Sequence, residues 1–350
     1  MCLDPGWLRV LSLDGGGIRG LSSLLVLDAL MKQIDPISPP KPCEVFDLIG
    51  GTSTGGLIAI MLGRLNMDMA SCIRAYRYMS ESIFKPRETL NIAAKVLAKY
   101  HVRGRFSSSA LEKAIKTVIV STGKSVDELM HPGIEQKCKI FVCAVSRECP
   151  GVIRFRNYRP SGPAPLNPRI WEAARATSAA TSFFDPIAIG PFGQEFLDGA
   201  TGANNPVEIA LEEARDIWPN AMPRLQYIIS IGTGEPSLAA FGDNLMSIGR
   251  TLIRISTDAN AVATQFARAH PELAVGGDRS RYIYQRFNVS KGLENIKLHE
   301  TAKISEIASA THRRSNSHRN VRSRCDNQGY PREVSVQKMY GLGYPSKSLR

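Results

Sequence analysis

Twice near its N-terminus the chain runs through an apolar strand-like segment, breaks at glycines and resumes as an apolar helix. Trp7-Leu8-Arg9-Val10-Leu11-Ser12-Leu13 meets Asp14-Gly15-Gly16-Gly17, and Ile18 to Ile34 then sets Leu21, Leu24, Leu25, Leu27, Leu30 and Met31 at helical spacings. A proline-rich connector, Asp35 to Pro42, stops that helix. Val45-Phe46-Asp47-Leu48-Ile49 reads as a second strand, Gly50 to Ser53 as a turn and Thr54 to Leu65 as an apolar helix. Strand–helix–strand–helix in so short a span requires parallel strands joined by a right-handed crossover. Both glycine turns then open at the carboxyl edge of one sheet, where open α/β folds place ligands.

The remaining pattern continues this theme. Helical spacing appears at 68–83 and 107–119, and Lys139 to Val145 forms a hairpin with Val152 to Arg156 across Cys149-Pro150-Gly151. Pro168 to Ser178 reads as a helix, Gln226 to Ile231 as a strand ending in Gly232-Thr233-Gly234, and about 244–268 as a long helix. No internal repeat and no clear boundary precedes residue 300. The expectation is one α/β domain over 7–300 and a basic C-terminal extension, partly disordered, over 301–350.

Composition narrows the class. With 350 residues, 43% hydrophobic and 22% charged, the chain is not wholly disordered. Its longest apolar runs fall short of the ~20 residues a membrane span needs. No secretory leader is visible, and seven scattered cysteines fit a reduced compartment better than a disulfide framework. A cytoplasmic location is therefore expected, with peripheral contact to membranes. Of the +12 net charge, residues 312–350 hold nine Lys/Arg against two Asp/Glu, or +7, leaving +5 for the body. That tail is either a solvated end or a site for anionic lipid. No aromatic-interleaved basic motif accompanies it, so a nucleic-acid partner is not expected.

The sharpest motif is Gly51-Thr52-Ser53-Thr54-Gly55, a G-x-S-x-G sequence between strand and helix. A turn this tight projects its middle residue into the open, and the flanking glycines permit close backbone approach. Ser53 would also sit at a helix N-terminus, whose dipole favours developing negative charge. Acyl transfer through such a hydroxyl needs an oxyanion hole. Gly15, Gly16 and Gly17 can present unobstructed amides at the neighbouring turn. Gly15, Gly17 and Gly20 also fit a dinucleotide fingerprint, but no acidic residue ends the second strand as that reading demands. For a base, the six histidines lie in unpromising contexts, His270 and His299 remaining open. Asp198, delivered by Phe196-Leu197 to a glycine turn at Gly199, is the better candidate. Asp14 is expected to brace its turn. Arg19 either steadies the glycine loop by pairing with a carboxylate or attracts a lipid phosphate. Metal-ligand spacing is missing: there is no H-E-x-x-H and no EF-hand loop, and Cys138, Cys143 and Cys149 do not fit zinc.

Taken together, DGGGIRG, GTSTG and DGA in that order resemble the patatin-like phospholipase family. Trp171 to Ala180 and Ile229 to Gly234 also look like family segments, and the resemblance spans about residues 7–290. It implies a three-layer α/β/α domain with a mostly parallel central sheet. It further implies a Ser53–Asp198 dyad, oxyanion donors at Gly15, Gly16 and Gly17, a lipid substrate, and no metal or other cofactor, hence calcium-independent chemistry. Asp14, Arg19, Gly51, Gly55 and Gly199 support the motifs, and DGA stands where DGG also occurs in the family. The expected activity is lipid acyl hydrolysis: phospholipase A, lysophospholipase or neutral-lipid esterase. Acyl transfer through the same acyl-enzyme and non-catalytic lipid binding are the alternatives. Lys85, Arg87, Lys95, Lys99, Arg103 and Arg105 around Leu90 to Leu97 are either a membrane-facing cap or an ordinary solvated helix. Arg154, Arg156 and Arg159 raise the same membrane question.

Overall fold

Among the described residues, eight strands form one sheet: β1 (Leu8–Leu13), β2 (Leu48–Thr52), β3 (Lys139–Ser146), β4 (Val152–Arg156), β5 (Ile187–Ile189), β6 (Gln194–Asp198), β7 (Leu225–Ile231) and β8 (Tyr284–Phe287). The computed structural model describes residues 6–83, 106–148, 151–160, 166–180, 183–234, 258–274 and 283–289, with Leu293, Glu300, Lys303, Glu306 and Ile307. The segment around Leu90 to Leu97 with its six basic residues, and most of 301–350, lie outside the described residues. So does the first part of the 244–268 pattern.

Strands β3, β2, β1, β7 and β8 pair in parallel, while β4 and β6 run antiparallel to β3 and β5 antiparallel to β6. Period-two alternation splits the core. Val10, Leu48 and Ile228 share one face with Phe141 and Cys143. Leu11, Ile49 and Ile229 share the other with Ile140 and Val142. That second face is covered by helices α1 (Gly20–Ile34), α2 (Thr54–Ala59), α3 (Met69–Ile83), α4 (Ser108–Ser121) and α5 (Ile170–Thr177). The first is covered by α6 (Val207–Ile217) and α7 (Ala259–Ala269), through residues such as Leu211 and Phe266. The result is the expected three-layer α/β/α arrangement. Ile307 is buried in the larger apolar cluster. Among the described residues no helix is long and apolar enough to cross a membrane.

One register detail positions everything that follows. Residues Phe141 to Cys143 of β3 pair with both β2 and β4, so those two strands occupy opposite edges of β3. Ala144 and Val145 pair with both β4 and β6, which places β6 on the edge that β2 has just vacated. Thr52 lies opposite Cys143, and Asp198 lies opposite the next residue, Ala144. The end of β2 therefore faces the end of β6 across a single residue step.

Several elements fall elsewhere than their sequence pattern predicts. Strand β2 starts at Leu48, because Pro42–Val45 turns as a short helix, and it runs on through Gly50 and Gly51. Those glycines belong in the sheet for steric reasons: a Cβ at Gly50 would drive into the Phe141 ring. The apolar helix expected over Thr54 to Leu65 is α-helical only to Ala59 and widens into a π-type turn over Ile60–Arg64. Helix α6 and strands β5 and β8 were not foreseen.

The basic strand β4 is also turned to a structural use. Arg154 and Arg156 do not offer free charge to a membrane. Glu213 of α6, 1% exposed, accepts Arg154 Nη1 at 2.8 Å and Arg156 Nη2 and Nε at 2.6 Å each. The Tyr158 hydroxyl donates to the same carboxylate, and Glu212 pairs with Arg154. This cluster ties the hairpin to the helix below the sheet. Removing the carboxylate alone leaves Arg156 without a counter-charge among the described residues and Arg154 with Glu212 as its one remaining carboxylate partner. Glu213→Ala should lower the unfolding free energy by about 3–5 kcal/mol in a urea titration.

Candidate active site

Strand β2 passes into α2 with Ser53 as the single residue between them. Ser53 adopts φ 56° and ψ −125°, a conformation that L residues rarely take. The two glycines of the motif make this bend possible. A methyl at Gly51 would enter the Gly55 carbonyl, and one at Gly55 would enter the carbonyls of Leu13 and Asp14. Helix α2 can press against the ends of both β2 and β1 only with hydrogen at these two places.

The bend directs the Ser53 hydroxyl at Asp198: Oγ donates to Oδ2 at 2.6 Å. The other carboxylate oxygen, Oδ1, accepts the Ala200 N–H at 2.7 Å. A Cβ at Gly199 would collide with the Cys143 carbonyl, so the chain must leave β6 on a glycine. Asp198 is 2% exposed. Burial raises its pKa from the ordinary 3.8 to about 7, against the opposing hydrogen bonds from Ser53 and Ala200. A carboxylate of this strength can accept a hydroxyl proton near neutral pH.

Gly15, Gly16 and Gly17 also come to this place, but they are not three equivalent donors. Gly15 N–H donates to the Asn204 carbonyl at 3.0 Å, and its Cα faces the Ser53 side chain. Gly16 N–H donates to Thr54 Oγ1 at 3.0 Å. Gly17, at φ 55°, meets no acceptor through its N–H among the described residues, and its carbonyl accepts the Tyr76 hydroxyl of α3. Gly17, Ser53 and Thr54 are among the residues lining a cleft of about 600 Å³, its open mouth included. Leu57, Met79, Ile83, Leu111, Phe183 and Phe184 make its walls predominantly apolar. Such a lining suits a hydrocarbon chain beside a reactive hydroxyl.

Asp14 does brace the loop, through a partner far along the chain. Its carboxylate takes a two-point ion pair from Arg286 of β8, Nη1 to Oδ1 at 3.0 Å and Nη2 to Oδ2 at 2.5 Å. Burial pushes the Asp14 pKa up and Arg286 opposes it, while Arg286 itself is held firmly charged. Arg19 precedes α1 partly buried, and desolvation lowers its pKa. No carboxylate pairs with Arg19 among the described residues, and its Nε has no hydrogen-bond partner. His270 bridges Glu208 at 3.0 Å and Glu272 at 3.3 Å at the end of α7, engaged away from Ser53. No group of three His, Cys, Asp or Glu side chains gathers as a metal site among the described residues.

Sequence reasoning assigned no role to Arg286, Tyr76, Asn204 or Thr177. Thr177 Oγ1 accepts the Ser53 N–H at 3.0 Å while donating to the Cys143 carbonyl at 2.6 Å. It lies in the Trp171 to Ala180 segment already noted for its resemblance, which was the available signal.

The family model described as Patatin-like phospholipase matches residues 11–211. The chain is 31% identical over 238 residues to calcium-independent phospholipase A2-gamma of Mus musculus, a match covering 65% of this chain and 28% of that protein. It is 27% identical over 348 residues to phospholipase A I of Arabidopsis thaliana, covering 84% and 25%. It is 29% identical over 244 residues to the cGAMP-activated phospholipase of Escherichia coli (strain TW11681), covering 66% and 63%. The chain thus spans under a third of the first two relatives and under two thirds of the third.

Two stability measurements follow from this geometry. The folded Asp198 carboxyl binds its proton more tightly than the unfolded one. The protein therefore loses stability as pH rises from about 4 to about 7, by up to about 4 kcal/mol. Asp198→Asn removes this loss, so its Tm minus that of the native protein should be larger at pH 8 than at pH 5. Ser53→Gly should melt higher than Ser53→Ala, because only glycine relieves a backbone cost of about 1–3 kcal/mol.

Proposed function

The chain belongs to the patatin-like phospholipase family, and on that premise we propose that it hydrolyses the carboxylic esters of lipids through an acyl-enzyme on Ser53. The observation that carries this reading is the 2.6 Å hydrogen bond to a buried Asp198 from the Oγ of Ser53, a residue that lines an apolar cleft. Three relatives named as phospholipases support a phospholipid as the first substrate class to test.

In this mechanism Asp198 takes the Ser53 proton as Oγ attacks the ester carbonyl. The tetrahedral oxyanion accepts from the Gly17 N–H, and the Gly16 N–H can be shared between Thr54 Oγ1 and the same oxygen. Gly15, committed to Asn204, contributes position and not a donor. Asp198 returns the proton to the departing alcohol or lysolipid. Water, deprotonated by the same carboxylate, then attacks the acyl-enzyme and frees Ser53 and a fatty acid. The apolar walls hold the acyl chain and keep bulk water from the reacting atoms.

The test is release of fatty acid from a panel of phospholipid and neutral-lipid esters, with chelator present and with or without an added alcohol acceptor. Ser53→Ala should abolish turnover while retaining a native melt, and Asp198→Asn should reduce it by at least about a thousandfold. Native-like turnover in Ser53→Ala overturns the reading. Because Asp198 must be ionised to accept a proton, kcat/KM should rise about tenfold per pH unit up to about pH 7 and then level off.

A further inference from the structure

The hairpin of β5 and β6 has both its roots in the site. Phe183 and Phe184, just before β5, wall the cleft, and β6 ends on Asp198. From Asp198, opposite Ala144, β6 reaches back to Phe196 opposite Ser146, and the Arg147 N–H donates to the Glu195 carbonyl at 2.9 Å. The hairpin thus projects past the ends of β1 and β2, the edge that carries Ser53 and the glycine loop. At about 3.3 Å per residue, the steps from Asp198 to Gln194 set the tip about 13 Å from Asp198.

That tip is Gly190-Pro191-Phe192-Gly193. The Gly193 N–H closes it onto the Gly190 carbonyl at 3.2 Å, the two glycines take φ of 81° and 63°, and proline fixes its own φ. Phe192 at the apex is 91% exposed. Single apolar side chains at a surface are ordinary; this one differs by its place. Of the other large apolar side chains exposed among the described residues, Trp7, Ile37, Leu129 and Ile134 lie in segments leading into β1, β2 and β3, and Tyr78 and Val120 lie on α3 and α4. A stable protein interface needs about 800 Å² from each side, whereas one phenylalanine offers about 150–250 Å². Hydrocarbon at a lipid surface accepts a single ring without matching its shape. The charge beside the tip does not select anionic lipid: Arg147 pairs with Glu195 at 2.6 Å, and Glu148 accepts the Glu195 N–H at 3.1 Å.

We infer that Phe192 inserts into the surface of a lipid aggregate and seats the Ser53 edge of the protein on it, by apolar burial and not by attraction to anionic headgroups. The inference rests on the lipid-hydrolase reading above for its purpose, while binding is measurable without turnover.

Phosphatidylcholine vesicles carrying brominated acyl chains are the probe. Phe192→Ser should weaken partition onto them about tenfold or more, and should lower fatty-acid release at sub-saturating lipid by the same factor. Its turnover of dissolved p-nitrophenyl butyrate should equal that of the native protein. Phe192→Trp should retain partition and show bromine quenching beyond that of the three native tryptophans. Failure of the native protein to bind the vesicles, or no added quenching in Phe192→Trp, overturns the inference. Undiminished partition of Phe192→Ser also overturns it and assigns the ring to a protein partner. An equal loss on vesicle and dissolved esters overturns it as well, placing the ring in the packing of the site. If Phe192-dependent binding is found without Ser53-dependent turnover of any ester, the hydrolase reading fails and the membrane contact stands.

Discussion

Two strands share one edge of β3, and the site depends on how they divide it. β2 pairs as far as Cys143 and β6 begins at Ala144, entering from the opposite direction. A serine that leaves the end of one and an aspartate that ends the other are brought into hydrogen-bonding range by the sheet itself. Because side chains alternate between faces, a one-residue slip of β6 would send Asp198 to the opposite layer. The register is fixed by burial: Phe196 must enter the larger core, where it meets the Phe155 ring at 5.1 Å. The hydrophobic core of the sheet thus specifies the spacing of two polar atoms.

Around that register the protein holds groups in states they would not choose alone. Ser53 sits in an unfavourable backbone region because Thr177 and the helix that follows leave it no alternative. Asp198 is withheld from water, which opposes its ionised form and makes it a stronger base in the same act. Both penalties fall on residues at the cleft, while the apolar layers on either face of the sheet supply the stability that offsets them.

Much of this was legible in the sequence because it is local. The strand–glycine–helix units predict the parallel sheet, and a serine between glycines at a strand's end predicts the bend. Phe196-Leu197 before Asp198 predicts an acid at a strand terminus. What escaped was set by distant partners. The boundaries of β2 follow from the Phe141 ring over Gly50, which no local pattern reveals. Gly15, Gly16 and Gly17 look interchangeable in a row, yet Asn204 and Thr54 distinguish them. Arg154 and Arg156 read as surface charge until Glu213 is found beneath them. Helix α6 was missed although Val207, Ala210, Leu211 and Ala214 repeat with helical period.

The ion pair between Asp14 and Arg286 joins residues 272 positions apart. It has a bearing on the order of events as the chain emerges from the ribosome. The first glycine turn, the serine and the aspartate are all translated well before the guanidinium that secures Asp14. Until β8 docks beside β7, the carboxylate lies without its counter-charge and the loop it anchors lacks that restraint. A nascent polypeptide therefore carries Ser53 and Asp198 before the glycine loop beside them is fastened by its ion pair.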